Sequence, residues 1–255
     1  MDQKPLKTIA TILAFFMFLS TYSIAEEKYT ANECFEKFSR GTLKFNQTLD
    51  KAIFKPVAKG YRTLPVPIRK GTSNFMGNLR SLLTFSNNVL QGDLKGAGNT
   101  AGRFAINTTV GILGVFDPAS KMGFEKKSRE DFGQTLGVWG ADSGCYFVLP
   151  VLGPTTVRDS LGSVANIMGG DAWYNLTIAN DTQYFNELDY YATKGASGVD
   201  FRAKNFDSIE NLEKNSLDFY ASVKSLYLQD RQQKILNTKR IIDTQDDSDS
   251  EEISQ

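Results

Sequence analysis

Apolar positions take two forms along this chain. On the N-terminal side Phe35, Phe38, Phe45, Leu49 and Ile53 recur at intervals of three, four or seven, one stripe of a helix that Pro56 is expected to stop. On the C-terminal side Phe206, Ile209, Leu212, Phe219, Val223 and Leu226 mark a second amphipathic helix. Asp207 and Glu210 are placed for a capping-box-like start, and Gly195 to Gly198 mark a break before it. The middle of the chain carries uncharged windows instead: Ser81–Gly92 (12 residues), Phe104–Phe116 (13), Ser143–Val157 (15) and Ser160–Gly170 (11). Each is shorter than the ~20 residues that a spanning helix needs. Helices are expected at 67–80, 82–91, 94–110 and 157–168, with a looped segment between. Alternation is rare, which argues against strands, so the expected class is all-α.

Small residues crowd one of these helices: Gly96, Ala97, Gly98, Ala101, Gly102 and Ala105. Such a face lets helices approach closely. The window SGCYFVLPVLGPTTV at 143–157 holds Gly144, Pro150, Gly153 and Pro154, so it cannot be one regular helix. Several short apolar segments, none able to span, suit a chain lying along or partly within one leaflet. Irregular backbone at that depth is tolerated where protein buries it or it lines a cavity.

Charge sharpens the contrast. Residues 81–180 hold 15 charged side chains in 100 positions, and 181–255 hold 24 in 75. Lys4 and Lys7 precede the uncharged run Thr8–Ser20, and Ser23-Ile24-Ala25 forms a small-x-small site; this is the order of a cleavable signal peptide over 1–25. The rest, 26–240, reads as one domain, and the acidic 241–255 as a disordered tail. Without residues 1–25 the chain carries 27 basic and 28 acidic residues, a balance that does not point to nucleic acid.

The chain has no histidine, which removes Ser-His-Asp and Cys-His nucleophile schemes and His-ligated metals. Gly96-Ala97-Gly98 misses the dinucleotide spacing, and Asp131 with Asp142 is a weak carboxylate pair. No catalytic residue, cofactor or metal is expected. After export the two cysteines, Cys34 and Cys145, occupy an oxidising compartment; a disulfide or two free thiols both remain open.

Longer stretches carry a resemblance. KFNQTLDKAIFKPVAKGYR at 44–62, SNFMGNLR at 73–80, NNVLQG at 87–92, RFAINTTVGILGVFDPAS at 103–120, DFGQTLGVWGADSGCYFVLPVLGPTTVRDSLG at 131–162 and YLQDRQ at 227–232 resemble the MlaA (VacJ) family. The resemblance implies an all-α, ring-shaped, membrane-embedded fold with a central amphipathic channel, in the periplasmic leaflet of the outer membrane. It implies removal of mislocalised phospholipid from the outer leaflet, delivery to an MlaC-like periplasmic lipid carrier, and association with a trimeric porin. A porin-bound scaffold without transfer activity is the alternative. Family members commonly carry a lipidated Cys at the mature N-terminus. Cys34 follows Ala31-Asn32-Glu33, a context that does not suit lipidation. Cys145 stands where the pattern leads one to expect Pro, and Lys224 where it leads one to expect Arg.

Two segments are expected to act on lipid. In 73–80, Asn74 and Asn78 lie four apart on one helix face, and Phe75 and Leu79 four apart on the next, with Arg80 following: a gating helix. In 143–157, Tyr146, Phe147, Val148, Leu149, Val151 and Leu152 form an apolar hairpin lining or lidding the channel, with Pro150 near its bend.

Overall fold

The structure, a computed structural model, describes residues 31, 34–166, 171–179 and 186–253; the signal segment expected at 1–25 lies outside them. Helix α1 (Glu36–Leu49) leads through a π turn (Asp50–Phe54) straight into α2 (Lys55–Arg62). Pro56 therefore stops nothing. It falls in the first turn of α2, directly after the π turn. Helix α3 (Val66–Gln91) is one 26-residue element where two were expected. It ends at Gly92, whose φ of 85° suits a residue without Cβ. Asp93 then caps α4 (Leu94–Thr109), accepting from the Gly96 N–H at 2.7 Å. Asn88 of α3 donates to Thr100 of α4 at 3.1 Å, tying the two together.

The small-residue face of α4 does not act as a continuous helix-packing stripe. Gly98 faces open space, Gly96 makes room for its own cap, and Gly102 faces the ring of Phe124. A 3-10 turn (Ala119–Met122) and an extended stretch lead to α5 (Phe132–Val138), capped by Asp131. Next comes an antiparallel hairpin, β1 (Tyr146–Leu149) with β2 (Gly153–Thr156), in register Tyr146↔Thr156 to Leu149↔Gly153. The described chain is otherwise mostly helical, as expected, and this short hairpin is an addition to that architecture. Only four residues long, its strands carry too little alternation to stand out from an apolar window.

Helix α6 (Val157–Ala165) starts at the cap Thr156. After one helical turn (Ala172–Tyr174) and a π turn (Asn175–Ala179) comes α7 (Glu187–Lys204), which opens on a true capping box at Asn186 and Asp189. Gly195 and Gly198 lie inside α7, with open space where their Cβ atoms would stand, so they break nothing. The C-terminal amphipathic pattern is two helices, α8 (Phe206–Asn215) and α9 (Phe219–Ile253). Asp207 and Glu210 do not cap α8; Asp207 pairs with Arg62, and Glu210 with Lys55 and Arg202. Backbone helix continues to Ile253 through the acidic stretch where no structure was expected. Extending a formed helix adds one hydrogen bond per residue without a new nucleus, so no apolar pattern is required.

Cys34 and Cys145 form a disulfide, their Cα atoms 5.6 Å apart. It joins the start of α1 to the hairpin. Along α1 the hairpin is fixed further: Ser39 Oγ accepts from the Val148 N–H, and Asn46 grips the turn through the Leu149 carbonyl (2.9 Å) and the Val151 N–H (2.8 Å). Tyr146 and Val148 sit with Leu43 and Tyr220 in one buried apolar cluster. Ala58, Ala203 and Phe206 form a second.

Candidate functional site

The apolar side chains of this protein are mostly on the outside. Among the described residues, 13 hydrophobic side chains are buried, and several of those are alanines, whereas 30 large hydrophobic ones are exposed. The α1 stripe is inverted: Phe35, Phe38 and Phe45 are exposed, while Ser39 and Thr42 are buried. Exposed apolar groups also crowd the 110–116 loop (Val110, Ile112, Leu113, Phe116) and the hairpin turn, where Leu152 is 80% exposed. Exposure of so many large apolar side chains marks a surface made for an apolar partner. No helix among the described residues is long and apolar enough to cross a membrane.

The polar side chains turn inward. Helices α3 and α4 and the 117–129 segment enclose a cleft of about 80 Å³. Its α3 wall presents Asn74, Gly77, Asn78, Ser81 and Thr84; its α4 wall presents Asn99, Thr100, Arg103 and Asn107. Lys126, Lys127, Ser128 and Arg129 close it. Asp117 is the one carboxylate in this lining, and it is fully engaged. Arg103 donates to both oxygens at 2.8 Å, and Asn107 and Ser120 donate as well. Burial pushes this carboxyl up, but the bonds from Ser120, Asn107 and Arg103 outweigh it and hold it down to about 2.

Asn74 and Asn78 share a second task. Asn74 Nδ2 donates to the Val115 carbonyl at 3.3 Å; Asn78 Nδ2 donates to Thr108 Oγ1 at 2.8 Å and approaches the Leu113 carbonyl at 3.4 Å. The loop they hold is strained, with Ile112 at φ 53° and Leu113 at φ 55°, a conformation that a β-branched residue resists. Gly114 lets it lie flat on α3, since a Cβ there would stand 2.4 Å from the Asn78 Cβ. Of the other residues in that segment, Phe75 and Leu79 are half-buried and Arg80 is exposed.

The hairpin residues divide by face. Tyr146 and Val148 have no exposed surface and belong to the core, so they are not free to line anything. Phe147 and Leu149 are half-buried on the other face; Pro150, Val151 and Leu152 form the exposed turn. This division follows from the two-residue period of a strand, which an apolar run conceals in sequence.

The Asp131–Asp142 pairing does not form a site. Asp142 accepts from the Gly144 N–H, whereas Asp131 enters a buried ion cluster under α9. Arg231 reaches Asp131 at 2.6 Å and Asp159 at 2.8 Å; Tyr227 donates to Asp159 at 2.5 Å, and Arg158 flanks it at 3.2 Å. Burial pushes both carboxyls up, but the Arg231 guanidinium outweighs it and holds both below the usual range. Gly133 and Gly162 let α5 and α6 close around the cluster: a Cβ on Gly133 would stand 2.5 Å from Asp159 Oδ1, and one on Gly162 2.3 Å from the Gly133 nitrogen.

Sequence reasoning missed the Lys126–Arg129 wall. The signal was present, because seven of the 15 charges in 81–180 fall within 121–131. No group of three or more potential metal ligands occurs among the described residues.

Comparison with known proteins agrees with this geometry. A family model described as MlaA lipoprotein matches residues 31–234. The intermembrane phospholipid transport system lipoprotein MlaA of Haemophilus influenzae is 34% identical over 216 residues, covering 82% of each chain. The protein of the same description from Escherichia coli K12 is 32% identical over 232 residues, 88% of this chain and 86% of that one. A solved structure reported as the structural basis for maintenance of bacterial outer membrane lipid asymmetry superposes with a TM-score of 0.69. It is 30% identical and covers 80% of this chain and 99% of the other.

Proposed function

The chain belongs to the MlaA lipoprotein family, and from that premise we propose that it takes phospholipid mislocalised in the outer leaflet of the outer membrane and passes it to a periplasmic carrier. The observation that carries this reading is the inverted surface: large apolar side chains face outward around a polar, cation-walled cleft. Such a chain lies in one leaflet as a ring, its outside against acyl chains and its inside offered to headgroups. Two acyl chains hold roughly 30 methylenes at ~0.8 kcal/mol each, so direct escape through water is prohibitive. A path with apolar and polar walls lowers that barrier without breaking a bond. The energy for net transport comes from partners.

In this reading the strained 110–116 loop and the hairpin turn are the parts that meet lipid. Asn74 and Asn78 act as the latch of a gate, releasing or retaining the loop through the Val115 and Leu113 carbonyls. Phe147, Leu149, Val151 and Leu152 offer the apolar wall of the hairpin. A soluble MlaC-like carrier and a trimeric porin are the inferred partners. Cys34 and Cys145 are bonded to each other, and the exposed apolar side chains supply contact with the membrane in this reading.

The test is removal of the gene followed by measurement of phospholipid exposed on the cell surface. Loss should raise it, and the wild-type chain supplied in trans should restore it. Unchanged surface phospholipid in the deletion strain would sink the transport reading.

A further inference from the structure

Five carboxyl side chains among the described residues are buried: Asp93, Glu130, Asp159, Asp171 and Asp200. Four of them meet a positive charge or dipole. Asp159 pairs with Arg231, Asp171 with Lys194 and Asp200 with Lys204, and Asp93 accepts the Gly96 N–H at the positive end of α4. Glu130 has neither a cation nor a backbone N–H bonded to it among the described residues. Its partners are neutral: Ser128 Oγ donates to Oε1 at 2.9 Å, and Gln91 Nε2 approaches Oε2 at 3.3 Å. Gln91 is the last residue of α3, so the negative end of that helix lies on this side. The charged groups facing Glu130 are Asp131, at the cap of α5, and Lys234, on α9; Asp131 is bonded to Arg231, and Lys234 to Asp230. Such a setting accepts a neutral carboxyl and disfavours a carboxylate. Burial accordingly pushes the Glu130 carboxyl up, against the bonds from Ser128 and Gln91.

Glu130 ends a stretch, 124–130, that is neither helix nor strand and that walls the cleft with Lys126, Lys127, Ser128 and Arg129. Its near end is held by Arg103, which donates to the Phe124 carbonyl at 2.6 Å, and by Asn99, which donates to the Glu125 carbonyl at 2.8 Å. Its far end is held by Glu130 on Gln91, and by Gln134, which donates to the Arg129 carbonyl at 3.0 Å. Gln91 carries this hold into α5: its Nε2 donates also to Thr135 Oγ1 at 3.0 Å, and that hydroxyl donates to Asn87 Oδ1 at 2.7 Å. Of the side chains that hold the stretch, Glu130 is the one that gains or loses a proton in an ordinary pH range. We propose that Glu130 is a proton-dependent pin for this strap: the neutral acid stays seated against the end of α3 and keeps the cleft walled, and the carboxylate moves to water and lets 126–129 swing away. The proton passes to solvent, and no covalent bond to carbon changes. Because the seated form favours the proton, closure is complete below the free glutamate value of about 4.3 and is lost as pH climbs through the raised value of the seated carboxyl. That is the opposite direction to the Arg231 cluster, whose carboxyls lie below the usual range. The device goes beyond the transport reading and holds whether or not the cleft handles lipid.

The experiment is amide hydrogen exchange of the full chain in an uncharged detergent, in steps from about pH 4 to about pH 9. Wild type is compared with Glu130→Gln at each pH, so the intrinsic pH dependence of exchange cancels. Glutamine is a permanent copy of the neutral acid. Over 124–131 the ratio of wild-type to variant exchange should be close to one at the acid end. It should then climb by about tenfold per pH unit once Glu130 ionises in the open strap, and level off when the seated form ionises too. Amides of α1 serve as the reference and should keep a ratio near one. A ratio over 124–131 that stays flat overturns the pin. So does a rise shared equally by α1, which would make the effect a loosening of the whole fold. If Glu130→Gln does not fold, the wild-type chain alone decides: its exchange over 124–131, divided by that of α1 at the same pH, must climb in the same way, and a quotient without slope overturns the proposal.

Discussion

Around Arg231 each charge meets its opposite: two carboxylates, a tyrosine hydroxyl and a second arginine close a cluster with little exposed surface. About one hundred residues earlier in the chain, Arg129 shares a cleft lining with Lys126 and Lys127, and all three are exposed. The first arrangement stabilises the fold it sits in, because removing one member strands the others. The two arginines thus differ in burial as well as in compensation: Arg231 is buried among its carboxylates, and Arg129 is exposed with no carboxylate bonded to it among the described residues.

The largest effect should come from breaking the compensated side. Arg231→Met leaves Asp131 and Asp159 buried without their main counter-charge and should cost about 3–5 kcal/mol, read as a lowered denaturation midpoint of the detergent-solubilised protein. A variant with unchanged stability would show that the Arg231 cluster does not hold the fold together.

Acid should act on the same cluster next. Asp131 and Asp159 have carboxyl values depressed in the folded chain. Their contribution is thus fully present above the ordinary carboxylate value of about 3.9 and is lost as pH falls below it toward the depressed folded values. Melting followed from pH 6 downward should fall below about pH 4, and the Arg231→Met protein should show a shallower fall.

Asp117→Asn should have the smallest effect on stability and sharpens the comparison from the other side. It leaves Arg103 half-buried with only neutral partners, for a loss of about 1–3 kcal/mol. It also removes the one carboxylate from the cleft lining, so a short-chain phospholipid titrated onto the detergent-solubilised protein should bind more tightly. Weaker lipid binding in that variant would argue that Asp117 shapes the cleft rather than opposing its charge.

What the sequence disclosed depended on whether the signal was local. Helix existence was legible wherever apolar residues recurred at helical spacing, and the span of α4 was read to within one residue of its end. Several helix ends were not: Pro56 falls in a first turn just after a π turn, and Gly195 and Gly198 each cost a helix only about 1 kcal/mol of propensity. The apolar stripe of α1 was read correctly as a stripe, but periodicity cannot say which solvent the stripe faces. The family resemblance supplied that answer. Asn74 and Asn78 stood out by their spacing; their hold on a strained loop some 40 residues away needed coordinates. Tyr146 and Val148 looked the same as Phe147 and Leu149 until a strand assigned them to opposite faces.

The bond between Cys34 and Cys145 spans 111 residues of chain, and every wall of the cleft lies inside that span. A covalent loop of about 100 residues restricts the unfolded chain by about 4.7 kcal/mol in the chain-entropy account. That stabilisation appears only where thiols become oxidised. On the export reading, the chain is therefore loosest while it must still thread through a translocation pore, and tightens after it arrives. Maturation of the lipid-handling region then depends on the oxidants of the compartment that receives it, and a cell lacking its disulfide-forming machinery would hold this protein in its weaker, uncrosslinked form.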